Sequence, residues 1–434
     1  MSEDIRTFFE RMAEEVRRSE PRVPPRMLRR AARRRARTVL IVGLVGAVLG
    51  YGGLIAVQAI GRPPAQTPAA PRQCSQWTVV PSPNQEPDRL DNRLDAVATF
   101  SDDDVWAVGV SYMDQEGGES FPLAMHWDGS SWSIVPVPDS YGHEGLMDVD
   151  GASPNDIWAV GLGHDTLHRD NGRWSIVPLA DPGTTYWHVE AVSADAPDDV
   201  WAVGNWATGD SGGPLIEHWD GSRWTVVEAP SPPPENLTGK SYGSLSAVDA
   251  LGPADVWATG QTENVAPAGE SNTVALNWDG STWTRTPTPD VQAQNGSYGH
   301  LFGVSALAAD DVWAVGLAGD QPGYFGGGDR ALIEHWNGTS WAVSETLPAD
   351  SRFVDVLAVS PNEVWAVGAT GVTGSFSPLV QRWDGTRWEE VSTGVTGEAW
   401  LSAISRSPTG DLWAVGMSVE KDSGRTLVLR CTGD

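Results

Sequence analysis

The sequence predicts an all-β chain folded as a seven-bladed β-propeller of four-stranded blades with shared-blade closure, preceded by a single transmembrane helix. Three observations carry this. The tetrapeptide W-A-[VT]-G occurs at Trp106, Trp158, Trp201, Trp257, Trp313, Trp365 and Trp413, spaced 43 to 56 residues apart. A second signature follows six of these sites, clearest as HWDGSSW over 126–132. Residues 38–60 then supply 23 consecutive positions without a charge.

Those 23 residues make about 34 Å of helix, enough to cross a hydrocarbon core of about 30 Å once. The basic cluster RRAARRRAR, 29–37, precedes them and nothing comparable follows. By the positive-inside rule the N-terminus is cytoplasmic and residues 74–434 lie outside the cell membrane. A cleaved signal peptide is the competing reading, but the long N-region and long apolar run count against it. Within 1–37, Ile5, Phe8, Phe9, Met12 and Val16 form one apolar stripe of a helix that Pro21 ends. Residues 3–18 are thus expected to lie on the inner leaflet or to dock on a cytoplasmic partner. A Pro/Ala-rich linker, 61–73, leads to the repeats.

Charge divides along the same line. Residues 1–37 carry 12 Arg and 6 acids, and the chain as a whole is at −28, so the remainder is strongly acidic. Nucleic acid is excluded as its partner, because phosphate contacts need local positive charge. The 22 Trp against 7 Tyr and 8 Phe are explained mostly by the repeat, which uses Trp at fixed positions to pack blades.

Each repeat reads as four short strands: LDAVATF, a turn, VWAVGV, a longer loop, PLAMHW, a tight Asp-Gly turn and WSIVPVP. Four strands recurring at about 50 residues make a propeller blade. A carboxylate stands two before each W-A-[VT]-G Trp, from Asp104 to Asp411, and is expected to cap the preceding turn. The seventh repeat lacks its second signature, and the strand CSQWTVVPSP, 74–83, supplies it from the N-terminal end. The ring therefore closes through one shared blade. Aligned on HWDGSSW, Cys74 and Cys431 face each other across that joint, predicting a disulfide on the oxidising side of the membrane.

This W-A-V-G strand, followed by W-D-G-x-x-W and a Pro-containing exit, resembles the kelch and galactose-oxidase-like propellers over 74–434, here as a membrane-anchored bacterial ectodomain. The Asp-Gly turn is similar to a shortened Asp-box. The pattern departs from kelch in having one glycine after W-A-V, not a pair. Copper-radical oxidation is not implied, since both Cys are committed to closure, and the arginine cluster and [FY]-R-I-P motif of sialidases are absent. No cofactor or metal is expected.

Aromatic residues that the repeat does not need gather in the connections between blades, on one face of such a ring. The expected ligand-binding residues are Tyr141, His143, Tyr186, Trp187, His188, Trp206, Tyr242, Tyr298, His300 and Trp400. Rigid aromatics on scaffolded loops favour recognition of a glycan, peptide or envelope protein. An enzyme, a polysaccharide-acting hydrolase or lyase, would draw on His143, His188 and His300 with Asp139, Glu144 and Glu190. A structural assembly platform is the third alternative.

Overall fold

The computed structural model describes residues 74–85, 91–113, 119–138, 145–208, 211–230, 241–264, 270–289, 298–319, 328–372 and 374–433. All belong to the unit Pro68–Asp434. The expected span 38–60, the segment 1–37 and the linker 61–73 lie outside the described residues. Among the described ones no helix is long and apolar enough to cross a membrane.

Every repeat folds as an antiparallel meander. The first uses Asp91–Ser101, Asp104–Tyr112, Ser120–Trp127 and Trp132–Ile134, paired in that order. Its second strand, DVWAVGVSY, is buried almost throughout, as a near-continuous apolar run requires when both sheet faces meet neighbouring blades. The hairpin to the outer strand is fixed by Asp128, whose Oδ1 accepts from the Ser130 amide at 2.9 Å, the Ser130 hydroxyl at 2.7 Å and the Ser131 amide at 2.9 Å. Gly129 follows at φ 90°, where a side chain would be strained. Those bonds hold the exposed Asp128 carboxyl down at about 2.

Strand pairing yields five separate four-stranded sheets and one of eight strands, where seven separate sheets were expected. The large sheet contains the fourth and fifth meanders, 241–286 and 298–349. They are joined by a single parallel pair, Ser271 with Tyr298. The strand Glu270–Trp278 starts early enough to reach the first strand of the next repeat, Tyr298–Ala308.

Closure occurs as the sequence implies. Cys74–Val79 pairs antiparallel with Ser423–Gly433, beside Leu412–Glu420 and Ala399–Arg406. Trp77 stands opposite Cys431, as Trp132 stands opposite Trp127 in the first repeat. The Cys74–Cys431 disulfide joins these strands with Cα atoms 5.5 Å apart.

The tryptophans form a girdle through all seven repeats. The closing Trp of each repeat meets the W-A-[VT]-G Trp of the repeat before it edge-on, beginning with Trp174 on Trp106 and Trp224 on Trp158. The series continues through Trp283 on Trp201, Trp341 on Trp257, Trp388 on Trp313 and Trp77 on Trp365. Trp132 on Trp413 returns it to the start. Centroids are 5.3–6.1 Å apart with ring planes at 80–88°, the arrangement that sets a positive ring edge against a negative face.

The acid before each Trp does not cap the turn. Asp104 Oδ1 accepts from Trp106 Nε1 at 3.0 Å and lies 2.9 Å from His126 Nε2 on the third strand. Asp199 holds Trp201 and His218 in the same way. Asp411 instead binds Arg430 Nε at 3.0 Å. The acid serves the indole N–H of Trp106, Trp201, Trp257 and Trp365, or a third-strand side chain such as His168 or His335, while in the second and sixth repeats the amide of that turn is taken by Ser153 and Ser360.

Candidate functional site

The repeat glycine creates the site. In six repeats a Cβ on that glycine would lie 1.8–2.1 Å from a first-strand carbonyl oxygen, that of Arg93, His188, Ser244, His300, Arg352 or Trp400. Only glycine permits this approach. Opposite each repeat glycine the first strand carries a β-bulge, as between Leu94 and Ala96 or Val189 and Ala191. A bulge re-aims the extra residue. The extra residues are Asp95, Met147, Glu190, Ser246, Phe302, Val354 and Ser402, and all seven line one cavity of about 490 Å³ enclosed by the first strands.

That cavity also receives Arg93, Arg352 and Trp400, with Asp148, Asp150, Asp249 and Asp355 further along the same strands. These four carboxylates clasp successive repeats. Asp148 and Asp150 accept from the amides of Val192 and Ala194, each at 2.8 Å; Asp249 accepts from Ala306 at 2.7 Å and Asp355 from Ile404 at 2.8 Å. Ser193 and Ser305 do the same for Ala250 and Ala358 at 3.1 Å, and Ser405 meets Thr99 at 2.8 Å. Between the first and second repeats the corresponding residues are Ala96 and Ala98.

Burial pushes Asp148 and Asp249 up to about 7, and Asp150 and Asp355 up to about 6. The amide bonds oppose the rise, and for Asp148 and Asp249 neighbouring carboxylates add to it. Burial likewise raises Asp95, against its ion pair with Arg93 at 2.9 Å.

A polar chain links the first strands of the third, fourth and fifth repeats. His188 Nε2 lies 3.2 Å from Glu190 Oε1, Glu190 bonds Ser246, and the Ser246 hydroxyl lies 2.9 Å from His300 Nε2. Burial drives Glu190 upward, but the bond and charge of His188, with His300 and the Ser246 bond adding to them, hold the carboxyl below its ordinary range. Burial lowers His300 to about 4, with Glu190 opposing. Among the described residues no group of three or more His, Cys, Asp or Glu is arranged to hold a metal ion.

Of the expected binding residues whose side chains are described, Trp400 alone lines the cavity. His188 and His300, 7% and 2% exposed, stand behind the wall through Glu190 and Ser246. Trp187 is 6% exposed, stacked beneath His164 at 4.3 Å and paired across strands with Trp206, so it is packing between the second and third repeats. Tyr298, 7% exposed, begins a strand and forms the bridge to Ser271. Tyr186 is half-buried, its ring 5.4 Å from that of His188. Tyr141, His143 and the side chain of Tyr242 lie outside the described set. The expected loop face is therefore corrected: Tyr186, Trp187, Trp206, Tyr298 and Trp400 lie within strands that extend further than the repeat motif indicated.

Apart from Glu190, weighed as an acid beside His188, the bulge residues escaped the sequence reading, which looked to aromatics and histidines in loops. Aligning the seven first strands on the residue facing the repeat glycine exposes them. The column two beyond the bulge is Val in six repeats and Ile404 in the seventh, whereas the bulge column reads Asp, Met, Glu, Ser, Phe, Val, Ser.

No known family model matches the chain, and no curated protein matches it. Solved structures do. The one described as YCF48 bound to D1 peptide aligns with a TM-score of 0.52 at 16% identity, covering 84% of this chain and 99% of its own. YCF48 from Cyanidioschyzon merolae gives 0.51 at 16%, covering 82% and 99%. The polysaccharide lyase Uly1 gives 0.54 at 9%, covering 79% and 90%. At such identities the likeness is one of fold, and with the strand pairing and the Trp girdle it establishes that the chain is a β-propeller.

Proposed function

We propose that the chain is a membrane-anchored extracytoplasmic binding or sensor module whose ligand, a glycan, peptide or envelope protein, enters the channel enclosed by the first strands. Counting the eight-stranded sheet as two bridged blades makes the ring seven-bladed, with a kelch-like and Asp-box-like repeat. The observation that carries the reading is that seven equivalent bulges deliver unlike side chains into one cavity of about 490 Å³. That volume falls within the roughly 300–1,000 Å³ of small-ligand sites. Proteins of the same fold include one described with a bound peptide and one described as a polysaccharide lyase. The disulfide supports placement outside the cytoplasm.

The enzymatic alternative rests on the proximity of Ser246 to His300. Its acid–base chemistry is poorly matched to neutral pH, since His300 is depressed to about 4 and Glu190 is held below its usual range. The cavity carboxyls nearest neutrality, Asp148 and Asp249, are engaged in blade-to-blade bonds. Binding is the better fit.

Protease added to intact cells is expected to remove the propeller, and protection would refute the topology. Replacing Ser402 by Trp obstructs the channel without removing a bond. Capture of envelope glycan or protein should drop with Ser402→Trp while the melting temperature holds; undiminished capture would sink the channel as the site.

A further inference from the structure

The rim around Trp400 has the chemistry of a saccharide subsite. Its indole meets Phe376 edge-on at 5.9 Å, and Phe376, itself buried, carries the Arg352 guanidinium 4.7 Å from its ring centroid. The stack fixes an aromatic surface at the cavity wall. A fixed indole suits the C–H face of a pyranose, which gains apolar contact without losing its hydroxyls' bonds.

Each sugar hydroxyl is both donor and acceptor and needs both kinds of partner. The wall supplies them. Arg93 donates; its pair with Asp95 uses Nε, and among the described residues no bond engages its two terminal nitrogens. Asp95, Glu190 and the Ser246 hydroxyl, whose hydrogen goes to Glu190, accept, and the Ser402 hydroxyl does either. Charge then selects among saccharides. Six carboxyls and two guanidinia line the cavity; with Asp148 and Asp249 partly protonated near neutral pH acid is still in excess, and a low-dielectric channel focuses that field against anions.

We propose that this rim binds the end of a neutral saccharide, stacked on Trp400 and hydrogen-bonded by Arg93, Asp95, Glu190, Ser246 and Ser402. The inference rests on the reading of the channel as the binding site and names the ligand class. A basic peptide is the competing occupant.

The test is calorimetric titration of the full-length chain with neutral disaccharides (maltose, cellobiose, lactose, diacetylchitobiose), with digalacturonate, and with a hexa-arginine peptide. At least one neutral disaccharide is expected to bind. Trp400→Ala should weaken it tenfold or more and Trp400→Phe less than fivefold, with melting temperatures near that of the parent. Digalacturonate should bind at least tenfold more weakly than the preferred neutral sugar. Absence of neutral-sugar binding, indifference to Trp400→Ala, or tighter binding of digalacturonate would overturn the proposal. Peptide binding blocked by Ser402→Trp, with no sugar bound, would overturn it while leaving the channel as the site. If nothing binds, or Ser402→Trp blocks nothing, the channel reading falls too.

Discussion

The Trp girdle and the inner ring of bulges are built by the same repeats on opposite principles. In the girdle, seven repeats place Trp on Trp with nearly one geometry. At the bulges, one backbone device presents Asp, Met, Glu, Ser, Phe, Val and Ser. Packing between blades poses the same problem seven times and receives one answer. A side chain aimed into a shared cavity has no packing duty to the repeat, so its variation is free to follow a ligand.

The third-strand residue shows the contrast within one position. In five repeats it is Trp, whose Nε1 donates to the carbonyl of a turn residue, as Trp127 does to Asp102 at 3.1 Å. The second repeat has Arg169, which gives the same bond to Pro154 at 3.1 Å and lies 4.5 Å from the Trp106 ring centroid. The closing repeat has Cys431, where the disulfide replaces the contact. The girdle tolerates a new side chain when it reproduces the function of the old one.

The comparison is most strongly tested at Trp413, which is fully buried and receives Trp132 across the closure. Trp413→Ala is expected to cost about 3–5 kcal/mol, read as a lowered denaturation midpoint. A loss below about 1 kcal/mol would show that the girdle is not the main cohesion between blades.

A smaller effect is expected from the inner clasps. Asp249 has its folded pKa raised to about 7 by burial, above the unfolded value of about 3.9. The native state therefore binds the extra proton, and this stabilisation is fully present below about pH 4 and lost as pH rises through about 7. Asp249→Asn retains an acceptor for the Ala306 amide and removes the charge. Melting temperature followed from pH 5 to 8 should fall less steeply in the variant, and an unchanged slope would mean that Asp249 is not buried as a charge.

The smallest change is expected from Arg169→Trp, which restores the common residue of the girdle. Stability should shift by less than about 1 kcal/mol, measured by chemical denaturation. A larger loss would mean that the second repeat packs differently from the others.

Blade architecture was legible because it rests on local and periodic signals. Asp128-Gly129 marks a hairpin, the buried second strand reads as an apolar run, and seven copies of W-A-[VT]-G count the repeats. Closure was legible too, since the missing second signature at one end and the surplus strand at the other can be aligned, and the cysteines fall opposite each other. Of the cavity lining, the sequence singled out Trp400 and Glu190. An aromatic outside a motif looks the same whether it is packed, like Trp187 beneath His164, or set at a cavity wall, and the difference depends on strands from other repeats.

By itself, then, the sequence determined the blade, its repetition and the clasp that closes the ring, because turn chemistry, alternation and motif spacing act within about 50 residues. Tertiary structure alone decided which residues share the channel. That depends on bulges imposed by glycines lying one strand away, which turn seven residues separated by whole repeats onto one axis. It also decided the charge state of the wall. Asp148 and Asp249 stand near neutrality only because the assembled ring removes them from water and sets carboxylates from distant repeats beside one another.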